Sequence, residues 1–338
     1  MVDKGVLVLD LFSDITCGGL RMVLSVGLKV KCYTSVEIDE CSRGITNEVL
    51  SKLQYEYPHQ LPDSALLGNN KRLPNDFRLI TDGDVKALIQ NKREVHFICG
   101  SWQCQSMAGP KTGREDDRFK PFLDMIRIVN TLQRVQCMPP IYCFENTWPG
   151  PKGKNKMVDE TTDMIQAFLG APVIVDAAGI GSASHRLRYY WKNLCELNLL
   201  ENAMPRDIMP LPTLNDILDP NHTTSNPLVA SRWPFVDHNK VGYERVCLPN
   251  IMSYPKSFAY RRRVNGNPGG GQLWDRVSQG WIEPSIHEKE QLLGYRIDDS
   301  MGGHAIYPET YVRTDADVRN RALANCSNFC NRKNLRDG

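Results

Sequence analysis

The sequence lacks any long hydrophobic run. Its longest apolar stretches, such as Val6 to Leu11, are far shorter than the roughly 20 residues that a membrane-spanning helix needs. It also lacks a signal-peptide pattern and an excess of either charge, with 41 basic against 39 acidic side chains and a net charge of +2. Global charge therefore indicates no partner. We expect a soluble intracellular protein with no membrane partner, located in the nucleus if the source is a eukaryote.

The sequence has eleven cysteines but lacks the paired C-x-x-C spacing of a structural zinc site, so we expect no metal. The cysteines are odd in number and scattered, which favours reduced thiols over a disulfide framework. Internal repeats and low-complexity segments are absent as well. At about one domain per 150 residues, the 338 residues suffice for two structural lobes.

The first half of the chain alternates short apolar runs with helix-length spacers. The runs are Val6–Phe12, Val30–Glu37, Val95–Ile98, Pro140–Phe144 and Pro172–Asp176. Continuous apolar strands separated by helices are typical of a mostly parallel sheet covered on both faces. The fold class that we predict is therefore α/β, with a doubly wound, mostly parallel sheet. Ligands of such sheets bind beyond the carboxyl ends of the strands.

From about Lys192 the alternation is lost and prolines become frequent, which predicts a smaller, loop-rich lobe. Between residues 251 and 276 there are five basic side chains against one acidic side chain, interleaved with aromatic residues. This mixture is typical of phosphate binding, although a solvated edge would have the same composition. We predict a catalytic and cofactor-binding domain at residues 1–192, a target-recognition lobe at 193–279, and a return segment at 280–338 that completes the catalytic domain.

Candidate binding or catalytic residues stand at or just after the ends of the first four predicted strands. A turn with Gly18 and Gly19 follows the first strand and Glu37 ends the second, a layout that suits an adenosine ligand, because the acid can accept from the ribose hydroxyls. The dinucleotide fingerprint G-x-G-x-x-G is not present. Cys104 follows the third strand and Glu145 follows the fourth, so a thiol and a carboxyl are expected beside one pocket.

This arrangement resembles the DNA cytosine-C5 methyltransferase family. The similarity runs along most of the chain, in a form closest to the de novo animal and plant domains-rearranged enzymes. The segments that resemble its motifs, in the family's order, are Asp10–Ile15, Ser35–Ile38, Asp82–Val85, Gly100–Gln105, Phe122–Arg127, Phe144–Asn146, Ser182–Trp191, Glu288–Tyr295 and Arg321–Asn325.

The resemblance implies the class I S-adenosylmethionine-dependent methyltransferase fold and S-adenosyl-L-methionine as cofactor. The residues that it assigns to cofactor binding are Phe12, Ser13, Ile15, Cys17, Gly18, Glu37, Ile38, Asp84, Val85 and Asn325. It implies that Cys104 attacks carbon 6 of cytosine and that Glu145 donates to ring nitrogen 3. Arg186 and Arg188 would hold the base carbonyl and a phosphate, and His185 would be a hydrogen-bonding neighbour.

The partner that the resemblance implies is double-stranded DNA, from which the target base must be flipped. The side chains expected on DNA are Lys111, Arg114 and Arg118 after the nucleophile, and Arg261, Arg262 and Arg263 in the basic segment. Without the neighbouring Cys104, residues 108–118 would be taken for an ordinary surface loop. An oligomer, with itself or with a related methyltransferase, is left open.

Three positions depart from the family pattern: Asp14 and Ser101 stand at usual glycines, and Gln103 stands at the usual proline. These departures predict a looser nucleophile segment and a strained cofactor turn. Two alternatives to an active DNA enzyme therefore remain. One is a transfer-RNA cytosine-C5 methyltransferase, which shares the catalytic motifs, and the other is a catalytically silent, DNA-binding regulator of an active methyltransferase.

Overall fold

The computed structural model describes residues 5–12, 17–66, 73–89, 94–102, 107, 119–153, 155–180, 182–193, 214–224, 247–248 and 271–294. These residues divide into two compact units. The first contains the described residues up to Val175 and those from Leu187 to Asn193, and the second contains the described residues of 176–186 and from Leu214 onward. The division predicted from the sequence at residues 192 and 279 stays a prediction.

The first unit is built on a six-stranded sheet in the order β2-β1-β3-β4-β6-β5. Its strands are β1 (Val6–Leu11), β2 (Val30–Val36), β3 (Phe97–Ser101), β4 (Ile141–Thr147), β5 (Val173–Asp176) and β6 (Leu187–Lys192). The pairs β1–β2, β1–β3 and β3–β4 are parallel, whereas β4 and β6 are antiparallel. The predicted α/β fold with a mostly parallel sheet is thus confirmed.

Helices flank this sheet. They are α1 (Gly18–Ser25), α2 (Glu40–Glu56), α3 (Asp63–Leu66), α4 (Asp82–Ile89), α5 (Lys120–Val135) and α6 (Lys156–Leu169), with a 3-10 turn at Phe77–Leu79. Local signals fix their ends. Asp39 caps α2 by accepting from the Ser42 amide at 2.8 Å, and Asn155 caps α6 through the amides of Met157 and Val158.

The core of the first unit lies where buried strand residues meet α5. Leu9, Ile98 and Phe144 come from three neighbouring strands and are at most 1 % exposed. Phe122 and Ile128 of α5 pack into the same cluster. Strands that are apolar on both faces are expected in a sheet covered on both sides.

The second unit contains a small antiparallel sheet, β7-β8-β9, formed by His222–Thr223, Leu273–Asp275 and Gly280–Ile282. Its helices are α7 (Leu214–Ile217) and α8 (Ile286–Leu292), with a 3-10 turn at Ala177–Ile180. Ser285 and Glu288 form a capping box at the start of α8. The Glu288 carboxylate also contacts Nδ1 of His222 at 2.7 Å, so this residue of a predicted motif has a structural role.

None of the described helices is long and apolar enough to cross a membrane. Nor does this part of the chain hold a group of three or more His, Cys, Asp or Glu side chains arranged to bind a metal ion.

Candidate active site

The carboxyl ends of four strands meet at one edge of the sheet. Leu11, the last residue of β1, pairs with Val36 on β2 and with Gly100 on β3, and Ser101 at the end of β3 pairs with Glu145 on β4. Residues that follow these strands therefore begin from one edge, as expected for a ligand site in an open α/β sheet. Cys104 lies three positions after Ser101 and outside the described residues.

Glu145 and Arg188 form a buried ion pair at this edge. The Arg188 Nε lies 2.6 Å from the Glu145 Oε1, and the two side chains are only 10 % and 14 % exposed. In the antiparallel β4–β6 ladder, Glu145 faces Tyr190 and Thr147 faces Arg188, so the two charged residues are diagonal neighbours. The arrangement brings together two residues that the sequence predicted to be catalytic.

The contact orients the carboxyl group without using all of its hydrogen-bonding capacity. Although the two atoms are close, the Glu145 Oε1 receives no aligned hydrogen bond from the described residues. An oriented, buried carboxyl group that keeps bonding capacity can exchange a hydrogen bond or a proton with a ring nitrogen.

The backbone that leads from β3 toward Cys104 is tightly held. Gly100 comes so close to β1 that a Cβ atom on it would lie 2.0 Å from the Leu11 carbonyl oxygen. The Asn146 side-chain Nδ2 donates to the Trp102 carbonyl at 3.0 Å, and the Trp102 side chain is 1 % exposed. Asn146 belongs to one of the predicted motifs, but no role for it could be predicted from the sequence. The structure shows that it fixes the end of this segment.

Four predicted cofactor residues lie near the ends of β1 and β2. Phe12 has a positive φ of 57°, and its half-buried ring lies 4.3 Å from the ring of Phe77. Cys17 is the N-cap of α1 with a φ of 48°, its side chain makes no capping hydrogen bond, and Gly18 opens the helix. Glu37 is half-buried, and its Oε1 accepts from the Asp39 amide at 2.9 Å.

The other described cofactor candidates are placed differently. Ile38 is 55 % exposed, whereas Val85 is 1 % exposed and packs in the hydrophobic core. Asp84 lies in the first turn of α4, where its Oδ2 accepts from the amide and hydroxyl of Thr81 at 2.8 and 2.7 Å. These hydrogen bonds lower the pKa of Asp84. Its expected contact with an adenine amino group stays a prediction.

Arg186, the other predicted arginine, belongs to the second unit and is 4 % exposed. The preceding His185 places its Nδ1 2.8 Å from the Asp176 Oδ2. His185 is thus a hydrogen-bonding residue, as its sequence position suggested. Asp176 was seen in the sequence only as the end of a strand, because its contacts form only in the folded chain.

A buried acid, Asp10, was also missed as a separate feature. It lies on β1 and is 3 % exposed, and the Tyr33 hydroxyl donates to its Oδ2 at 3.1 Å. Burial raises the pKa of Asp10 from 3.8 to about 7, against the opposing effect of hydrogen bonds from Cys99, Tyr33 and the Gly19 backbone. The only hint in the sequence was an acid inside an otherwise apolar strand.

Several predicted residues lie outside the described part of the chain. Besides Cys104 they are Ser13, Ile15 and Asn325 for the cofactor, Lys111, Arg114, Arg118, Arg261, Arg262 and Arg263 for DNA, and the departures Asp14 and Gln103. Their assignments remain predictions.

Comparison with known proteins shows a likeness in fold. No protein-family model matches the sequence, and no curated protein matches it. Among solved structures, the chain is similar to the Dnmt2 methyltransferase of S. pombe, with a TM-score of 0.56, 15% sequence identity, and coverage of 96% of this chain and 94% of that chain. It is also similar to the methyltransferase EhMeth of Entamoeba histolytica, with a TM-score of 0.55, 14% identity, and coverage of 96% and 95%. The fold is therefore that of class I S-adenosylmethionine-dependent methyltransferases.

Proposed function

We propose that this chain transfers a methyl group from S-adenosylmethionine to carbon 5 of a cytosine in double-stranded DNA. The observation that carries the proposal is the buried Glu145–Arg188 pair, next to the strand end from which the chain continues to Cys104. The solved structures with the same fold are named methyltransferases, which supports methyl transfer in general. The preference for DNA comes from the resemblance of residues 182–191 to the de novo enzymes.

The residues around the ends of β1 and β2 fit the proposed cofactor. The first turn of α1 carries no acidic side chain and no side-chain cap, and its Gly19 amide donates to Asp10. The other amides of this turn suit a carboxylate. The half-buried Glu37 suits the ribose hydroxyls, and the ring of Phe12 suits the adenine face. When bound there, the cofactor would supply an electrophilic methyl group.

The protein groups would act on the cytosine in sequence. The Cys104 thiolate adds to carbon 6, while Glu145, held by Arg188, gives a hydrogen bond or a proton to nitrogen 3. Carbon 5 then has the electron density to take up the methyl group. A base or water removes the proton from carbon 5, the bond from sulfur to carbon 6 breaks, and the free thiolate is restored. A proton given to nitrogen 3 in the first step returns to Glu145 as the ring becomes aromatic again.

Fluorine at carbon 5 tests this sequence of steps, because it replaces the proton that must leave carbon 5 before the enzyme is released. A duplex with 5-fluorocytosine should form a denaturation-resistant adduct that requires S-adenosylmethionine. Cys104→Ser should abolish the adduct, whereas Cys137→Ser, at an exposed free cysteine, should leave it intact. Glu145→Gln should slow adduct formation without preventing DNA binding, since phosphate contacts supply most of that affinity.

The same assay separates the alternatives. An adduct on a folded transfer RNA and none on DNA would assign the chain to the RNA enzymes. No adduct on either, despite normal affinity for cofactor and DNA, would show a silent regulator and would contradict the proposal.

A further inference from the structure

The backbone around Arg186 is organised by one carboxylate. The Asp176 Oδ1 accepts the main-chain amide of Arg186 at 2.9 Å and that of Ala178 at 3.2 Å. Its Oδ2 lies 2.8 Å from Nδ1 of His185, and since a carboxylate only accepts, the imidazole donates. Both oxygens are thus engaged by the segment that carries the arginine.

The charge of Asp176 suits this task. Partial burial acts to raise the pKa of Asp176, but hydrogen bonds from His185 and from the amides of Arg186 and Ala178 outweigh it, so the pKa is lowered. The carboxylate is therefore ionised near neutral pH. Hydrogen bonds to an ionised acceptor are shorter and about twice as strong as those between neutral groups.

Other contacts hold the same segment. The hydroxyls of Ser182 and Ser184 donate to the Leu292 carbonyl at 3.2 and 3.1 Å. The His185 amide donates to the Leu248 carbonyl at 2.7 Å. Residues 182–186 are therefore held at several positions. At Arg186 itself, the amide donates to the Asp176 carboxylate at 2.9 Å, and the carbonyl accepts from the Ala177 amide at 3.2 Å.

The side chains of this segment differ in exposure. Arg186 is buried, whereas the His185 side chain is 46 % exposed. A guanidinium binds a planar partner through two parallel hydrogen bonds, so it must be in position before the partner arrives. A fixed backbone provides this position and reduces the side-chain entropy that is lost on binding.

We infer that Asp176 is a positioning residue for Arg186, fixing the backbone from which the guanidinium reaches the cytosine, with His185 holding the carboxylate in place. This inference rests on the proposed function and on the role that the family resemblance implies for Arg186, which is to hold the base together with Arg188. It predicts that Asp176 affects the rate of methyl transfer and has little effect on cofactor or duplex affinity.

The test compares Asp176→Ala, Asp176→Asn, His185→Ala and His185→Asn in the full chain with S-adenosylmethionine and duplex DNA. Asp176→Ala should lower kcat about 100-fold, the effect of a small misplacement of a reacting group, with KM for DNA nearly unchanged. Asp176→Asn keeps an acceptor for the Arg186 amide and should retain kcat within about 10-fold of the wild-type value. His185→Asn can still donate to Asp176 and should restore much of what His185→Ala loses.

Hydrogen exchange of peptides spanning residues 182–188 gives a readout independent of activity. Asp176→Ala should raise exchange at the Arg186 amide, and Asp176→Asn should raise it less. A folded Asp176→Ala variant with wild-type kcat, or with unchanged hydrogen exchange, would overturn this inference and leave the proposed function standing. A wild-type chain that methylates neither DNA nor RNA would instead overturn the proposed function, and the exchange data would still decide whether Asp176 fixes this backbone.

Discussion

The buried acid Asp10 gives the folded chain a distinctive dependence on pH. The folded protein keeps the Asp10 proton up to a pKa of about 7, because burial disfavours the charged carboxylate. The ordinary pKa of this group, which the unfolded chain retains, is 3.8. Nearby groups reinforce or oppose this effect: Tyr33 and Cys99 donate hydrogen bonds, and Glu37 raises the pKa further by repulsion.

The sign of the effect follows from proton binding. Between the two pKa values the folded state binds more protons than the unfolded state, so raising the pH favours unfolding. The contribution of Asp10 to the free energy of unfolding is complete below pH 3.8 and falls as the pH rises to about 7. Above about pH 7 no further loss occurs. At about 1.4 kcal/mol for each unit, the total loss in the free energy of unfolding is roughly 4 kcal/mol.

Asp10→Asn tests this reasoning, because an amide resembles the protonated carboxyl group and does not titrate. Urea unfolding of both proteins at about pH 5, 7 and 8.5 would measure the free energy of unfolding. From about pH 5 to pH 8.5, the wild type should lose roughly 3 kcal/mol relative to Asp10→Asn. Asp63→Asn, at an exposed aspartate, should follow the wild type. If the wild type and Asp10→Asn show parallel pH curves, Asp10 is not the titrating group and the reasoning fails.

Three further predictions concern the cofactor, the sheet edge and the nucleic acid. Glu37→Ala should weaken S-adenosylmethionine binding by about 1 to 3 kcal/mol in calorimetry. Glu40→Gln, at an exposed acid nearby, should leave the affinity unchanged. Equal affinities of the wild type and Glu37→Ala would refute the assignment of Glu37 to the cofactor. Gly100→Ala should destabilise the fold by about 3 kcal/mol, because its Cβ would meet the Leu11 carbonyl. Gly83→Ala, in a helix, is the matched control: among the described residues its Cβ would meet only Thr81 Oγ1, at 3.4 Å. It should stabilise the fold by about 0.5 to 1 kcal/mol in the same urea assay. Replacing Arg261, Arg262 and Arg263 with alanine should weaken duplex binding. The slope of log binding constant against log salt concentration should become shallower by about one unit for each lost phosphate contact. An unchanged slope would show that the DNA-binding surface lies elsewhere.

The sequence predicted the parallel strands because their apolar runs are continuous, but it predicted their ends less well. The third run was expected at Val95–Ile98, whereas β3 spans Phe97–Ser101. Its last residues, Cys99 to Ser101, are extended because they pair with Cys143 to Glu145 on β4. Pairing with a neighbour that is distant in the chain thus extends a strand beyond its apolar part.

The antiparallel strand β6 was not predicted. Residues 187–192 were recognised for their arginine and aromatic side chains, and no strand was assigned to them. Their partner β4 is more than forty residues away in sequence, and a single sequence contains no signal for that register. The Glu145–Arg188 contact depends on this register, so the sequence could name both residues without giving their geometry.

The departures at Ser101 and Gln103 predict a loose segment before Cys104, but the described residues of that segment, Ser101 and Trp102, are held in place. Ser101 is half-buried and in register with Glu145, and its hydroxyl donates to the Trp102 carbonyl at 3.1 Å. The Trp102 ring lies 5.1 Å from that of Trp191 and 5.0 Å from that of Phe122, between a strand and a helix of the core. A proline restricts a chain through its own backbone angle, whereas a buried tryptophan does so through packing. Packing at Trp102 therefore restrains the chain up to the residue before Gln103, and the looser segment expected at Gln103 itself stays a prediction.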